Sequence, residues 1–304
     1  MHISPIANPG GTRMSEQKRS IVDFDFTDLV DDMRKEIKDG DATVGLGSDL
    51  GSISDNPEDY VVLPEWFKEN YGVHGLQFGR FFQWAGDSDS GKTTFAMQCI
   101  KSAQEQGHGV VYVETEGKTP VEYFNNWGIN PKGVLLVQSK IVESAFDGGF
   151  AAIDKFFERY PDKKLLFVFD SYGNTVTQSD FNNTVSKESR VGGAAKINRK
   201  AINILTAKML KRDIAALIIN YTYDNIGSHG KTNAGGKALN FFTTISVQTQ
   251  RTGWLEKTVA GKKVRSGAKV KWSVFKNHYE AALPGVNLPK NLELAITEDG
   301  FKPI

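Results

Sequence analysis

Apolar residues along this chain recur with two periods. Short, nearly unbroken apolar runs occur at Phe81-Phe82-Gln83-Trp84, at Val110-Val111-Tyr112-Val113, over residues 134–137, at Leu165-Leu166-Phe167-Val168-Phe169 and over residues 214–219. Runs of that length predict strands buried on both faces of a parallel sheet. Between them the period becomes helical: Ala96, Cys99, Ile100 and Ala103 repeat at i, i+3, i+4, i+7, and Gly107 supplies a stop. Further helices are predicted over residues 121–127, 144–160 and 194–211, the last with Ile197, Ala201, Ile204, Leu205 and Leu210 facing inward. Strands alternating with helices at this spacing predict an α/β fold. Its central sheet would be mostly parallel, flanked by helices and joined by right-handed crossovers.

The rest of the pattern is less regular. Residues 1–20 are polar with Pro and Gly and read as disordered or as added to the natural chain, with Met14 a candidate start. Val22, Phe24 and Phe26 alternate with Asp23 and Asp25 like a strand with one apolar face. A strand so short needs a sheet edge, its own sheet's or a neighbouring subunit's. Thr27 reads as the N-cap of a helix whose stripe of Leu29, Val30, Met33 and Ile37 ends at Gly40. Residues 45–57 are a turn-rich linker. The polar residues 175–189 and the Gly-, Asn- and Ser-rich residues 224–237 read as mobile loops. Strands over 241–250 and 270–275 flank a Lys/Arg-rich hairpin region, and residues 283–304 read as a short tail. The expected domains are residues 1–59 (arm, strand, helix and linker), 60–279 (core) and 280–304 (tail).

One stretch carries chemistry. Gly86-Asp87-Ser88-Asp89-Ser90-Gly91-Lys92-Thr93 fits the phosphate-loop pattern and lies between a predicted strand and a predicted helix. Such a loop works through geometry, because successive backbone N–H groups and the helix N-terminus face phosphate oxygens. Lys92 would reach the β and γ phosphates, and Thr93 would ligate Mg²⁺. Asp170, after five apolar residues, matches the acid that holds Mg²⁺ in such enzymes; the plain alternative is a turn cap. Glu114 and Glu116 bracket Thr115, so in extended chain both face one side, and either could orient an attacking water. Tyr123 could stack on adenine or serve only as a core or surface tyrosine. The chain reads first as an ATPase.

Composition narrows the class. Charged residues are 24% and hydrophobic ones 39% of 304, ordinary for a soluble globular protein. No apolar run approaches the ~20 residues a bilayer span needs, and no signal-peptide core is present, so a cytoplasmic, membrane-free location is expected. The single Cys99 excludes a disulfide framework and a cysteine metal site. Net charge is only +1, but it is unevenly spread. Residues 21–59 hold twelve acidic side chains against three basic, whereas residues 185–212 and 251–276 each hold eight basic against one acidic. One basic run is usually a solvated face; two in one ATPase core point towards a polyanion.

With these residues in view, the chain resembles the RecA family of homologous-recombination ATPases, closest to its phage, UvsX-like branch. Gly75-Leu76-Gln77-Phe78-Gly79-Arg80 precedes the phosphate loop, which continues through Thr94. Glu114-Thr115-Glu116, followed by Pro120 and Trp127-Gly128, is similar to the segment holding the family's catalytic glutamate, which maps to Glu116. Phe169-Asp170-Ser171 and Asn220-Tyr221-Thr222-Tyr223 resemble its magnesium and γ-phosphate-sensing segments. Gly235-Gly236-Lys237-Ala238-Leu239-Asn240-Phe241-Phe242 resembles the close of its second DNA loop, and Lys276-Asn277-His278 the segment that reaches a neighbour's ATP.

The resemblance implies a filament on single-stranded DNA with ATP and Mg²⁺ between subunits, pairing with homologous duplex, and residues 21–26 docking on the neighbour. Lys92, Glu116 and Lys276 would be catalytic; residues 86–94, Tyr123, Asp170 and Tyr221 would line the nucleotide. Residues 175–189 and 224–237 would be the DNA loops, with Arg190, Lys196, Arg199, Lys231, Gly235, Gly236 and Lys237 as DNA contacts. Single-strand-binding and mediator proteins are further candidate partners, and a phage origin would place the protein in a host cell. The chain departs from the pattern at Tyr221, where the family has glutamine, and at His278, where bacterial members have a second lysine. Its second loop is short and lacks an aromatic wedge, and with about 25 residues after Tyr279 no counterpart of the bacterial C-terminal DNA-capturing domain is expected. Competing readings are a ring ATPase or helicase motor, and a DNA-coating regulatory paralogue with little turnover.

Overall fold

A computed structural model of the protein describes residues 25–36, 44, 46, 53–183, 193–224, 231–233, 238–280, 283 and 288–304, and only the backbone at 224, 231–233 and 238. The chain divides into two compact units, residues 1–52 and 53–304. In the first, α1 (Thr27–Glu36) starts at Thr27 itself, whose N–H and hydroxyl both donate to Asp25 Oδ1 at 2.9 and 2.6 Å. Asp25 therefore does the capping expected of Thr27, because its longer side chain reaches forward to the first turn. Asp25 and Phe26 are irregular, and the remainder of the expected strand over 21–26 lies outside the described residues.

The second unit opens with β1 (Tyr60–Val62), α2 (Glu65–Tyr71) and β2 (Gly75–Gln77); β1 and β2 pair as a small antiparallel sheet. There follow β3 (Phe81–Gly86), α3 (Lys92–Glu105), β4 (Gly109–Glu114), α4 (Val121–Asn126), β5 (Leu135–Gln138), α5 (Val142–Arg159) and β6 (Leu165–Asp170). Next come α6 (Gln178–Phe181), α7 (Gly193–Met209), β7 (Ile214–Asp224), β8 (Lys231–Asn233) and α8 (Ala238–Phe242). The last elements are β9 (Thr243–Val259), β10 (Lys262–Asn277), β11 (Asn291–Thr297) and β12 (Gly300–Pro303). In space the main sheet runs β12-β11-β10-β9-β3-β7-β6-β4-β5, with β8 on β7. From β9 to β5 neighbouring strands are parallel; β10, β11 and β12 form an antiparallel wing.

Alternation along the parallel strands splits the core in two. Val110, Tyr112, Leu166, Val168, Leu217 and Ile219 join the apolar face of α3, including the buried Cys99. Val111, Val113, Leu165, Phe167, Ala216 and Ile218 join α5 and α7 on the other side. A period of two in strands buried on both faces explains why their sequences read as unbroken apolar runs. The predicted helices and most parallel strands lie within a few residues of their expected ends, but β7 runs five and β9 nine residues past theirs.

The differences have local causes. On α7 the buried stripe is Asn198, Ala201, Ile202, Leu205 and Met209, a clean 3.6-residue repeat. Ile204 and Leu210, expected inside, are 36% and 78% exposed, Leu210 lying past the helix end. Within the expected loop of 175–189, α6 forms because Thr177 accepts from Asp180 N–H at 3.0 Å. Phe241 and Phe242 close α8 instead of starting a strand. Ala260 and Gly261, at φ 49° and 76°, make the two-residue connection between β9 and β10 with the positive dihedrals that match strand twist.

The stretch read as a tail supplies β11 and β12. Phe301 packs on Phe95 and Trp272 (ring centroids 5.9 and 5.0 Å), and Trp84 stacks on Phe95 at 4.3 Å. The antiparallel wing thus supports the strand and helix on either side of the phosphate loop. Among the described residues no helix is long and apolar enough to cross a membrane.

Candidate active site

β3 ends at Gly86 and α3 begins at Lys92, so the phosphate-loop residues form the strand-to-helix turn at the carboxyl edge of the parallel sheet, where open α/β sheets place their sites. Gly91 has φ 85°, a left-handed conformation unfavourable with a Cβ, and a Cβ there would strike Ile296 Cδ1 of β11. A Cβ at Gly86 would strike the Thr249 carbonyl oxygen. The loop is braced from several strands. Thr249 Oγ1 donates to Ser90 O at 2.7 Å, Ser90 Oγ to Asp87 O at 2.7 Å, and Thr222 Oγ1 to Asp87 Oδ1 at 3.2 Å. Arg251 lies 3.7 Å from Asp89. The Lys92 ammonium is buried and donates to Asp87 O. Burial pulls its pKa down, against the pull of Asp170 and Glu116. No acidic residue occupies the first turn of α3, so the positive end of its dipole is not offset there.

Two strand ends bring acids to this turn. Asp170, the last residue of β6, accepts from Thr93 Oγ1 at 2.8 Å and Tyr112 OH at 3.3 Å. Burial pushes its pKa up to about 6, partly offset by the Thr93 hydrogen bond. Thr115 stitches the ends of β4 and β6 together: its N–H donates to Asp170 O at 2.8 Å and its hydroxyl to Ser171 O at 2.9 Å. The Asp170–Ser171 peptide is cis.

The two glutamates have separate surroundings. Glu114, 2% exposed, accepts from the backbone N–H of Glu116 and Gly117 at 2.9 and 2.8 Å and from Gln138 Nε2 at 3.3 Å. It builds the turn that presents Glu116. Glu116 accepts from Ser171 Oγ at 2.9 Å, from Lys118 Nζ at 3.0 Å and from the Tyr221 hydroxyl. Burial works to raise its pKa, but hydrogen bonds led by Tyr221 outweigh this and hold it at about 2. The Tyr221 ring also lies 4.8 Å from Lys92 Nζ.

A cavity of about 350 Å³ joins residues 88–94, Glu116, Lys118, Tyr123, Asp170 and Tyr221. Tyr123 OH pairs with Thr94 Oγ1 at 3.1 Å on its rim. A larger cavity, about 440 Å³, lies before β4 and β6 at the opposite sheet edge, lined by His108, Lys163 and Lys164 among others. Glu58 and Asp162 line it too, but it has no phosphate loop, so size does not decide between them. Lys276 is not brought to the phosphate loop; its ammonium donates to the carbonyls of Asn240 and Phe241 at the end of α8. His278 N–H donates to Thr244 O at 3.0 Å. Lys196 and Arg199 are exposed on α7, and Lys231 falls on β8. Arg190, Gly235, Gly236 and Lys237 lie outside the described residues. Lys118 touches the site without having been singled out by pattern, and Ser171 and Thr222, quoted before only as parts of longer segments, reach it because the fold brings them there.

The chain matches the RecA N-terminal domain family over residues 66–289. It is 29% identical over 184 residues to Protein RecA of Malacoplasma penetrans, covering 60% of this chain and 54% of that one. It is 29% identical over 210 residues to Protein RecA of a Sulfurovum species, covering 68% and 57%. Against Protein RecA of Mycoplasma pneumoniae it is 27% identical over 264 residues, covering 86% and 69%. The chain spans somewhat more than half the length of the first two relatives. With most of its length inside the family's match, the chain belongs to the RecA N-terminal domain family.

Proposed function

We propose that this protein is a DNA-dependent ATPase that assembles on single-stranded DNA and promotes homologous pairing and strand exchange. The observation that carries the reading is the convergence of Lys92, Thr93, Asp170 and Glu116 on one cavity at the carboxyl edge of the sheet. ATP would seat its phosphates on the N–H groups of residues 86–94 and on Lys92, with its base towards Tyr123. The Thr93 hydroxyl and Asp170 carboxylate fit Mg²⁺, which favours a few hard oxygen ligands from protein and completes its shell with phosphate and water. When bound, it would neutralise phosphate charge during transfer. Glu116 would orient the attacking water.

β7 continues from the site at Tyr221 to Asp224, where the proposed second DNA loop begins, and pairs with β8 inside that loop. That route would couple hydrolysis to DNA held by residues 175–189, 224–237, Lys196 and Arg199. Lys276, whose ammonium donates to α8 carbonyls, would act on the nucleotide of a neighbouring subunit. Residues 21–26 would add to the free edge of that neighbour's sheet, giving the filament. On its finer reading the protein is a phage UvsX-like recombinase working in a host cytoplasm, with single-strand-binding and mediator proteins as partners.

The test is the ATPase rate with and without single-stranded DNA, at low and elevated salt. Strong stimulation that fades with salt supports a phosphate-binding groove and makes strand exchange the next assay. Equal rates in all four conditions overturn DNA-coupled hydrolysis and favour a regulatory DNA-coating role.

A further inference from the structure

Among the described residues that line the proposed nucleotide cavity, two ammoniums, Lys92 and Lys118, face three carboxylates, Asp89, Glu116 and Asp170. Lys118 also lines an adjoining cavity of about 270 Å³ that shares Thr93, Glu116, Tyr123 and Asp170 with the first, so it stands where the two meet. Its backbone is anchored and its head is not. Gly117 at φ 68° turns the chain, and the Lys118 N–H donates back to Glu114 Oε1 at 3.4 Å. The side chain is 75% exposed, with its ammonium donating to Glu116 Oε2 at 3.0 Å. Ser171 and Tyr221 donate to the other Glu116 oxygen, so Lys118 has Oε2 to itself among these partners. An ion pair with so exposed a lysine contributes little to stability, and it exchanges readily for a stronger partner. A phosphate is such a partner, since it carries more charge and more acceptor oxygens than a carboxylate.

We propose that Lys118 is a phosphate ligand supplied by the same chain: its ammonium exchanges Glu116 for an oxygen of the terminal phosphate when a nucleoside triphosphate binds. Lys92 is held at the phosphate loop, where it donates to Asp87 O, whereas the long exposed stem of Lys118 lets its charge follow the ligand. The exchange adds a second positive charge to that of Lys92 in a cavity whose carboxylates outnumber its ammoniums. It also leaves Glu116 Oε2 open to a water. A diphosphate lacks the terminal group, so the pair with Glu116 persists. No second subunit is needed for this cation, which separates it from the trans position proposed for Lys276. The inference rests on the ATPase reading and gives it a residue that serves turnover before assembly.

Lys118→Ala in the full chain removes the ammonium at an exposed position, so the variant should fold as the parent does. With Mg²⁺ present, its affinity for ATPγS should fall about tenfold while its ADP affinity stays within about twofold. Its DNA-free ATPase rate should fall by about the same factor or more, and Lys118→Arg should restore most of both. Coupling to Glu116 separates a phosphate ligand from a counter-ion. If Lys118 only balanced the Glu116 charge, its loss would leave that carboxylate to repel phosphate, and Lys118→Ala would cost nothing once Glu116→Gln had removed the charge. A phosphate ligand relieved of its competitor should instead cost at least as much ATPγS affinity in the Glu116→Gln background as in the wild type. Unchanged ATPγS affinity, an equal fall for ATPγS and ADP, no rescue by arginine, or loss of the effect in the Glu116→Gln background would each overturn the proposal. A wild-type chain that binds neither nucleotide would overturn the ATPase reading and the Lys118 assignment with it. Wild-type binding that Lys118→Ala leaves unaltered overturns the assignment alone.

Discussion

Glu114 and Glu116 stand two residues apart and have opposite duties. Glu114 is spent on backbone N–H groups of its own turn, so Glu114→Gln replaces a charged acceptor of two strong hydrogen bonds with a weaker one. A loss of about 1–3 kcal/mol in stability is expected, measured by urea unfolding. Glu116→Gln touches no backbone donor. It should unfold within a few degrees of the parent, bind ATP, and hydrolyse it about 10²–10⁴-fold more slowly. Retained turnover would mean that another group positions the water. The choice between the two acids was not legible from extended-chain geometry, which puts both on one face. It follows from Gly117 at φ 68°, which turns the chain back so that two N–H groups point at Glu114. Ser171 was equally hidden as a partner of Glu116, because a hydrogen bond spanning 55 residues leaves no period in a sequence.

At the scale of elements, the parallel strands and the helix after the phosphate loop were readable because burial on both faces and an amphipathic stripe each impose a pattern. In the antiparallel wing β10 was readable in part, as the strand expected over 270–275, but β11 and β12 were not, because they are short and half-exposed. Phe301 shows what they contribute: it packs on Phe95, three residues into α3, and on Trp272, while Ile296 lies against Gly91. Phe301→Ala should cost about 3–5 kcal/mol by the cavity it leaves, seen in thermal or urea unfolding. It should also weaken nucleotide binding, which a surface substitution of equal size would not do.

The packing of α5 on α7 gives a prediction with a pH sign. Asp154 accepts from Lys208 at 2.6 and 2.7 Å and from Arg212 at 2.8 Å. Burial works to raise its pKa, but these hydrogen bonds outweigh it and leave the carboxyl below its ordinary 3.8. A depressed carboxyl stabilises the fold above its unfolded value and loses that contribution as pH falls through its folded value. Its side chain is 43% exposed, so solvent screening limits the gain to about 1 kcal/mol. Asp154→Asn should be less stable by that amount at pH 7, and the gap should close as pH drops below 3.8.

For the whole molecule, the ends of the sheet differ in what they invite. The β12 edge is four residues long and carries Lys302 and Pro303, features that discourage pairing. The β5 edge exposes Leu135 and Leu136, at 45% and 50%, with no strand beyond it among the described residues. The alternation of Val22, Phe24 and Phe26 with Asp23 and Asp25 supplies a strand with one apolar face to lay against such an edge. Backbone pairing would give the neighbouring subunit's arm its affinity, and the apolar face its register. The residues that line the proposed nucleotide cavity all come from 88–221, far along the chain from the arm. Deleting residues 21–26 should therefore leave a soluble monomer whose ATPγS affinity stays within about threefold of the parent, while electron microscopy on single-stranded DNA shows no filaments. On the proposed function, its ATPase rate should lose most of its DNA dependence, since the trans position proposed for Lys276 would exist only in an assembly. Filaments surviving the deletion would remove the arm from the interface and move the search for the subunit contact to the exposed Phe241 and Phe275 beside Lys276.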